Sequence, residues 1–131
     1  MRLLLDTHLA VWLVTEPERI PRRAHDLLME PSNQVFGSAV AVWEVAIKHS
    51  KRVREGQSGI VSGQELLDEL GRAGLPLLSV TAEHAAMLDH LPPVHNDPFD
   101  RLLVAQAQAE PMRLLTVDTV LGAYGAAVLV V

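Results

Sequence analysis

The chain contains no cysteine, which excludes disulfides, a thiolate nucleophile and cysteine-ligated zinc, and is compatible with a reducing compartment. It also lacks any 18-residue uncharged apolar run, so no segment reads as a membrane-spanning helix. Before the first acid, Asp6, there is no apolar stretch as long as the core of a signal peptide. Secretion is therefore not expected, and a cytoplasmic location is. No Gly-rich phosphate loop, Walker sequence or GxSxG elbow is present. The six histidines show no HExxH or other zinc spacing, so His8, His49, His84 and His95 read as surface or capping residues rather than ligands. Excess positive charge is missing too: 11 Lys and Arg stand against 16 Asp and Glu, a net charge of −5. That balance argues against a broad basic face holding nucleic acid, because phosphate neutralisation dominates such affinity. It leaves room for a protein that reaches phosphate through cations held in an acidic site.

What is present reads as one globular domain over residues 1–131, with 49% hydrophobic and 21% charged residues and no internal repeat or linker. Short apolar runs at 2–5, 34–37, 75–80, 113–117 and 126–131 predict strands, and helical segments separate them. The predicted helices cover 9–14, 22–29 after Pro21, 39–52 after an N-cap at Ser38, and a segment opened by Ser62-Gly-Gln-Glu65 at capping-box spacing. Two more follow, from Thr81 to about His90 and from Asp97-Pro98 through Glu110. Trp12 and Trp43 lie on apolar helical faces and read as core or interface. Near-continuous apolar strands alternating with helices predict a parallel sheet between helical layers, a three-layer α/β/α sandwich.

Within that fold, isolated carboxylates stand out. Asp6 follows a leucine run, Glu44 interrupts the apolar stretch Ala39 to Ile47, Asp100 ends Asn96-Asp-Pro-Phe-Asp100, and Asp118 follows Leu114-Leu-Thr-Val117. In parallel sheets, ligands bind beyond the carboxyl ends of the strands, where the strand order reverses. Asp6 and Asp118 each follow a predicted strand and so belong at that edge. Each acid has an ordinary alternative: Asp97 with Pro98 forms a good helix start, and Asp6 and Asp118 could be caps. Together they demand compensation, because two unit charges about 4 Å apart repel by about 4 kcal/mol at an effective dielectric near 20. Oxygen donors without cysteine suit Mg²⁺ or Mn²⁺ better than zinc. Ser38 and Thr116, near strand ends, are candidates to hydrogen-bond a carboxylate or a metal-bound water.

Four segments, Leu3-Leu-Leu-Asp-Thr-His8, Ser38-Ala-Val-Ala-Val-Trp-Glu-Val-Ala-Ile-Lys48, His95-Asn-Asp-Pro-Phe-Asp-Arg-Leu-Leu-Val-Ala-Gln-Ala107 and Leu114-Leu-Thr-Val-Asp118, resemble in order and spacing the successive motifs of PIN domains. The resemblance is strongest to VapC-type toxins of type II toxin–antitoxin modules, and it spans essentially the whole chain. It implies an acidic pocket binding Mg²⁺ or Mn²⁺ and used to cut RNA. It also implies a homodimer and a small antitoxin that covers the pocket. By motif, Asp6, Glu44, Asp100 and Asp118 match the family's acidic positions and are the candidate catalytic residues. With Asp97, which belongs to one variant of the third motif, they are the candidate metal residues.

Two rivals stay open at this stage. One is a PIN-like binding or scaffold domain, which a missing acid would favour, and none is missing. The other is a phosphohydrolase with strand-end aspartates, which would want an Asp-x-Asp motif or a strand-end lysine that Asp6-Thr-His8 does not supply. The basic cluster Lys48, His49, Lys51, Arg52 and Arg54 reads equally well as a solvated helix end or as a surface facing RNA.

Overall fold

In the computed structural model, which describes residues 1–131, the leucine run forms strand β1 (Arg2–Leu5), with all three leucines fully buried. Helix α1 (Thr7–Thr15) starts at once because the Asp6 carboxylate accepts the Leu9 N–H and caps it. After a 3₁₀ turn at Pro17–Arg19 come α2 (Arg22–Met29) and β2 (Gln34–Ser38). Ser38 ends that strand and caps α3 (Ala39–Arg54) by accepting the Val40 N–H. Next are α4 (Gly63–Arg72), β3 (Leu77–Leu78) and α5 (Ala82–Met87), extended by a 3₁₀ turn at Leu88–His90. The chain closes with α6 (Pro98–Ala109), β4 (Arg113–Thr116), a 3₁₀ segment Thr119–Tyr124 and β5 (Val128–Val130).

All five strands are parallel, in the order β3-β2-β1-β4-β5. The chain builds outward from β1 through β2 to β3, then returns to lay β4 and β5 on the other side. The order therefore reverses between β1 and β4, which leaves a crevice beyond their carboxyl ends. In that pair Leu4 is in register with Leu114, and Leu5 with Leu115. Successive residues of a strand face opposite sides of the sheet. Leu4 and Leu114 accordingly join the core with Leu103 and Ala107 of α6, whereas Leu5 and Leu115 join Leu9 of α1 and Leu66 and Leu70 of α4. The two cores make the three-layer α/β/α sandwich, and each fully buried leucine contributes about 1.5–3 kcal/mol. Packing of α4 on α3 is close at Gly63, where an added Cβ would lie 2.8 Å from the Ala46 Cβ.

The expected third strand shrinks to two residues. Pro76 precedes it, and proline cannot donate to a ladder; β3 pairs on one side only, so it is an edge strand. The reciprocal capping box forms at Thr81 and His84 rather than at Ser62, whose hydroxyl accepts the Glu65 N–H. Neither tryptophan is fully buried, though Trp12 packs against the edge of the second core. Trp43 is 51% exposed and meets Phe99 edge-on at 4.7 Å, and half-buried Trp12 lies under the Arg19 guanidinium, 4.6 Å from its ring centre.

Candidate active site

The crevice between β1 and β4 is lined from both strands by side chains that their first turns hold in place. Asp6 is 2% exposed; Oδ1 accepts the Leu9 N–H at 2.8 Å and Oδ2 accepts the Thr116 hydroxyl at 2.6 Å. The same Thr116 oxygen accepts the Asp118 N–H at 3.0 Å, so one hydroxyl ties the two strand ends together. Asp118 in turn caps the following 3₁₀ segment by accepting the Val120 N–H. Its second oxygen is left free of hydrogen bonds within the chain.

Glu44 reaches the crevice from α3 and is only 4% exposed. A lone carboxylate at that depth would be strongly unfavourable. Two partners compensate it: the Thr7 hydroxyl donates to Oε1 at 2.6 Å, and Lys48, one turn further along α3, pairs with Oε2.

From the third side comes the start of α6. Asp97 is its N-cap, accepting the Phe99 and Asp100 N–H groups at 2.8 and 3.4 Å, and Pro98 occupies N1, where its missing N–H is not needed. Asp100 projects from this first turn, half-buried, and its carboxylate accepts no hydrogen bond from the chain. His95 faces it. The His95 Nδ1 accepts the Asp97 N–H at 2.9 Å, which places the ring proton on Nε2, 3.7 Å from the Asp100 Oδ2 and 3.5 Å from the Asp118 Oδ2.

Crowding shows in the electrostatics. Burial pushes the Asp100 carboxyl up to about 6, helped by the negative charges of Asp97, Glu44 and Asp6 and opposed by His95. Asp6 is also held above the ordinary carboxylate range, chiefly by burial, with the hydrogen bonds from Thr116 and Leu9 working the other way. Such charge effects fall off with distance. Asp6, Glu44 and Asp97 therefore converge on Asp100, and Asp118 joins through His95.

The donor set fits a hard divalent cation. One carboxylate oxygen each from Asp100 and Asp118 and a ring nitrogen of His95 lie within 4.8 Å of one another; with its proton on Nε2, His95 faces the two acids as a donor, which leaves the carboxylate oxygens as the ligands. A cation there would remove the repulsion that raises Asp100. Carboxylate oxygens are the donors that hard cations take.

All five expected site residues, Asp6, Glu44, Asp97, Asp100 and Asp118, border this crevice. Thr116 takes the expected role of hydroxyl donor to a carboxylate. Ser38 does not: its hydroxyl donates to Gln106 Oε1 at 2.6 Å, away from the acids. Three participants were not expected at the site: His95, read as a surface or capping residue, lies among the acids; Lys48, read within a basic cluster, pairs with Glu44; and Thr7, for which there was no expectation, also bonds Glu44. The placement of His95 was legible in principle, since a histidine two residues before an N-cap aspartate can bond that residue's N–H. Lys48 was legible as an i, i+4 partner of Glu44.

A family model described as PIN domain matches residues 3–126. The chain belongs to the PIN family. Among curated relatives, Ribonuclease VapC22 of Mycobacterium tuberculosis is 29% identical over 116 residues, covering 88% of this chain and 85% of the relative. Among solved structures, VapBC2 from Rickettsia felis, bound to a DNA fragment from its promoter, matches with a TM-score of 0.67 at 19% identity, covering 95% of this chain and 93% of the other. A toxin–antitoxin complex from Klebsiella pneumoniae matches with a TM-score of 0.60 at 20% identity, covering 97% of this chain and 95% of the other. Both structures share the PIN fold seen here.

Proposed function

We propose that this PIN chain is a metal-dependent endoribonuclease, one nuclease domain over residues 1–131, acting as the toxin of a type II toxin–antitoxin module. The observation that carries the reading is the convergence of five acids at the point where the strand order reverses, with Asp100 free of hydrogen bonds at its centre. The ribonuclease relative and the toxin–antitoxin neighbours support the substrate class and the partner.

Asp6, Asp100 and Asp118 hold the cation; Glu44 helps bind it or orients the attacking water; Asp97 caps α6 and keeps Asp100 aimed inward. A bound Mg²⁺ or Mn²⁺ supplies charge to the phosphate and acidifies a water. The chain does the positioning. Thr116 holds Asp6 and the Asp118 backbone in one geometry, and Thr7 and Lys48 keep Glu44 oriented. Mg²⁺ or Mn²⁺ as the ion, a homodimer, a small antitoxin as cognate partner and a cytoplasmic location complete the reading. No helix is long and apolar enough to cross a membrane.

The test is cleavage of an RNA oligonucleotide by purified protein with Mg²⁺ or Mn²⁺ and with EDTA. Cleavage is expected only with the cation. Equal cleavage in EDTA overturns the metal mechanism, and no cleavage under either condition overturns the nuclease reading. Light scattering of the isolated chain at micromolar concentration checks the dimer.

A further inference from the structure

Beside Glu44, α1 and α3 enclose a second, smaller cavity of about 120 Å³. Its polar lining consists of Thr7, His8, Glu44, Lys48, His49 and Arg52. Glu44 is the only carboxylate there, and both of its oxygens are already engaged by Thr7 and Lys48. The Lys48 side chain is 45% exposed and its ammonium has three N–H donors, so it can hold Glu44 with one and still face the cavity with another. His8, His49 and Arg52 pair with no carboxylate in the chain. The cavity is therefore rich in donors and has its one negative charge compensated, the opposite of the acidic crevice. A larger cavity of about 620 Å³, between the end of α1 and α4, has Glu65, Asp68 and Glu69 against Arg72 and would repel an anion.

Resting on the ribonuclease reading, we propose that the Lys48, His49 and Arg52 pocket binds a phosphodiester of the substrate RNA flanking the one that is cut. Glu44 is the wall shared by the two compartments, and Lys48 and Arg52 follow it at one-turn intervals along α3. At 1.5 Å per residue, Arg52 lies about 12 Å along the helix from Glu44. A strand whose scissile phosphate sits among the acids would thus lead its neighbouring phosphates toward the basic end of α3, which extends through Arg54. The chemistry recognised is a phosphate oxygen, and the guanidinium of Arg52 suits it. The cluster accordingly acts in RNA binding and is more than a solvated helix end.

The test uses Arg52→Ala and His49→Ala, with Arg52→Lys as the charge-retaining variant and Arg72→Ala as a control outside both sites. Fluorescence anisotropy with a labelled RNA octamer in EDTA reads binding across a salt series, and cleavage with Mn²⁺ reads kinetics. Each alanine variant is expected to weaken RNA binding about tenfold or more, the equivalent of one net hydrogen bond to a charged group. The slope of log affinity against log salt should become shallower by about 0.7 for each phosphate that is no longer neutralised. KM should rise while kcat holds, Arg52→Lys should recover part of the affinity, and Arg72→Ala should match wild type. Unchanged binding and salt slope in both alanine variants overturn the proposal. So does full competition by millimolar inorganic phosphate when an octamer binds no tighter than a dinucleotide, a result that would assign the pocket to free phosphate. Loss of antitoxin binding with RNA binding intact also overturns it, in favour of an acidic side chain of a protein partner. If the wild type cuts no RNA in Mn²⁺, the nuclease reading fails separately, and the anisotropy series still decides the pocket.

Discussion

Under α6, Ser38, Gln106 and His84 are all fully buried and form a closed chain of hydrogen bonds, whereas at the sheet edge nearby Asp6, Asp97, Asp100 and Asp118 crowd together with oxygens left open. In the closed cluster every group has a partner. Ser38 donates to Gln106 Oε1, Gln106 donates to the Ser79 carbonyl at 3.3 Å, and His84 Nδ1 accepts the Thr81 N–H at 3.1 Å. That bond leaves the His84 proton on Nε2, facing Glu110 Oε1 at 2.8 Å. Such a network, once satisfied, rigidifies a core. The acidic cluster is arranged for something it does not itself contain: its repulsion is relieved by a cation, and its burial makes that cation's charge effective. Polarity serves stability in one region and chemistry in the other.

The largest effects should separate the two regions most sharply. Asp6→Asn, Glu44→Gln, Asp100→Asn and Asp118→Asn should each lower RNA turnover by about a hundredfold or more, read by single-turnover cleavage of a labelled oligonucleotide. Near-normal turnover in any one of them removes that acid from the site. Gln106→Leu should leave the buried Ser38 hydroxyl without an acceptor and destabilise the fold by about 1–3 kcal/mol in urea unfolding, with cleavage per folded molecule unchanged. A folded Gln106→Leu protein that cannot cleave would show that the two clusters act as one.

Smaller effects sharpen the contrast. Metal-free Asp100→Asn should be more stable than wild type by about 0.5–2 kcal/mol, and Mn²⁺ should stabilise it less than wild type. Thermal melts with EDTA and with Mn²⁺ decide this, and an equal metal response would take Asp100 out of the cation site. The pH dependence has a definite sign. The Asp100 carboxyl is raised from 3.8 to about 6 on folding, so between those values the folded state binds more protons than the unfolded one. Its contribution to metal-free stability therefore falls as pH rises from about 4 to 6 and is flat above. Asp6, also raised, acts in the same direction. Melts in EDTA that show no loss attributable to Asp100 across that range, by comparison with Asp100→Asn, would contradict the crowding. Least of all, Asp97→Asn should change stability by only a few tenths of a kcal/mol, because Asn caps a helix as well as Asp does. A strong loss of cleavage in that variant would mean that the Asp97 charge itself is needed.

Much of the fold is legible in local patterns. Arg2–Leu5 and Arg113–Thr116 are apolar runs too short and too continuous to be surface helices, and Ser38, Thr81 and Asp97 announce the helices they cap. β3 is shorter than its apolar run suggests because apolar character does not reveal that a strand has a partner on one side only. The role of Ser38 is not legible, because strand-end position fixes neither which way a hydroxyl turns nor that Gln106, 68 residues away, meets it. His95 escapes a search for ligand spacing along the chain, since its neighbours Asp100 and Asp118 come from different elements.

By itself the sequence determined which residues are acids stranded in apolar surroundings, where the helices begin, and that the strands must be covered on both faces. These are local properties, set by hydrophobic period, capping chemistry and the unfavourable burial of charge. Only the tertiary structure decided that β1 and β4 are neighbours, because that pairing closes a separation of more than one hundred residues. From it follow the shared hydroxyl of Thr116, the convergence on Asp100, the place of His95 and the donor-lined pocket beside Glu44. Electrostatic coupling depends on distance in space, and sequence separation carries almost none of that information.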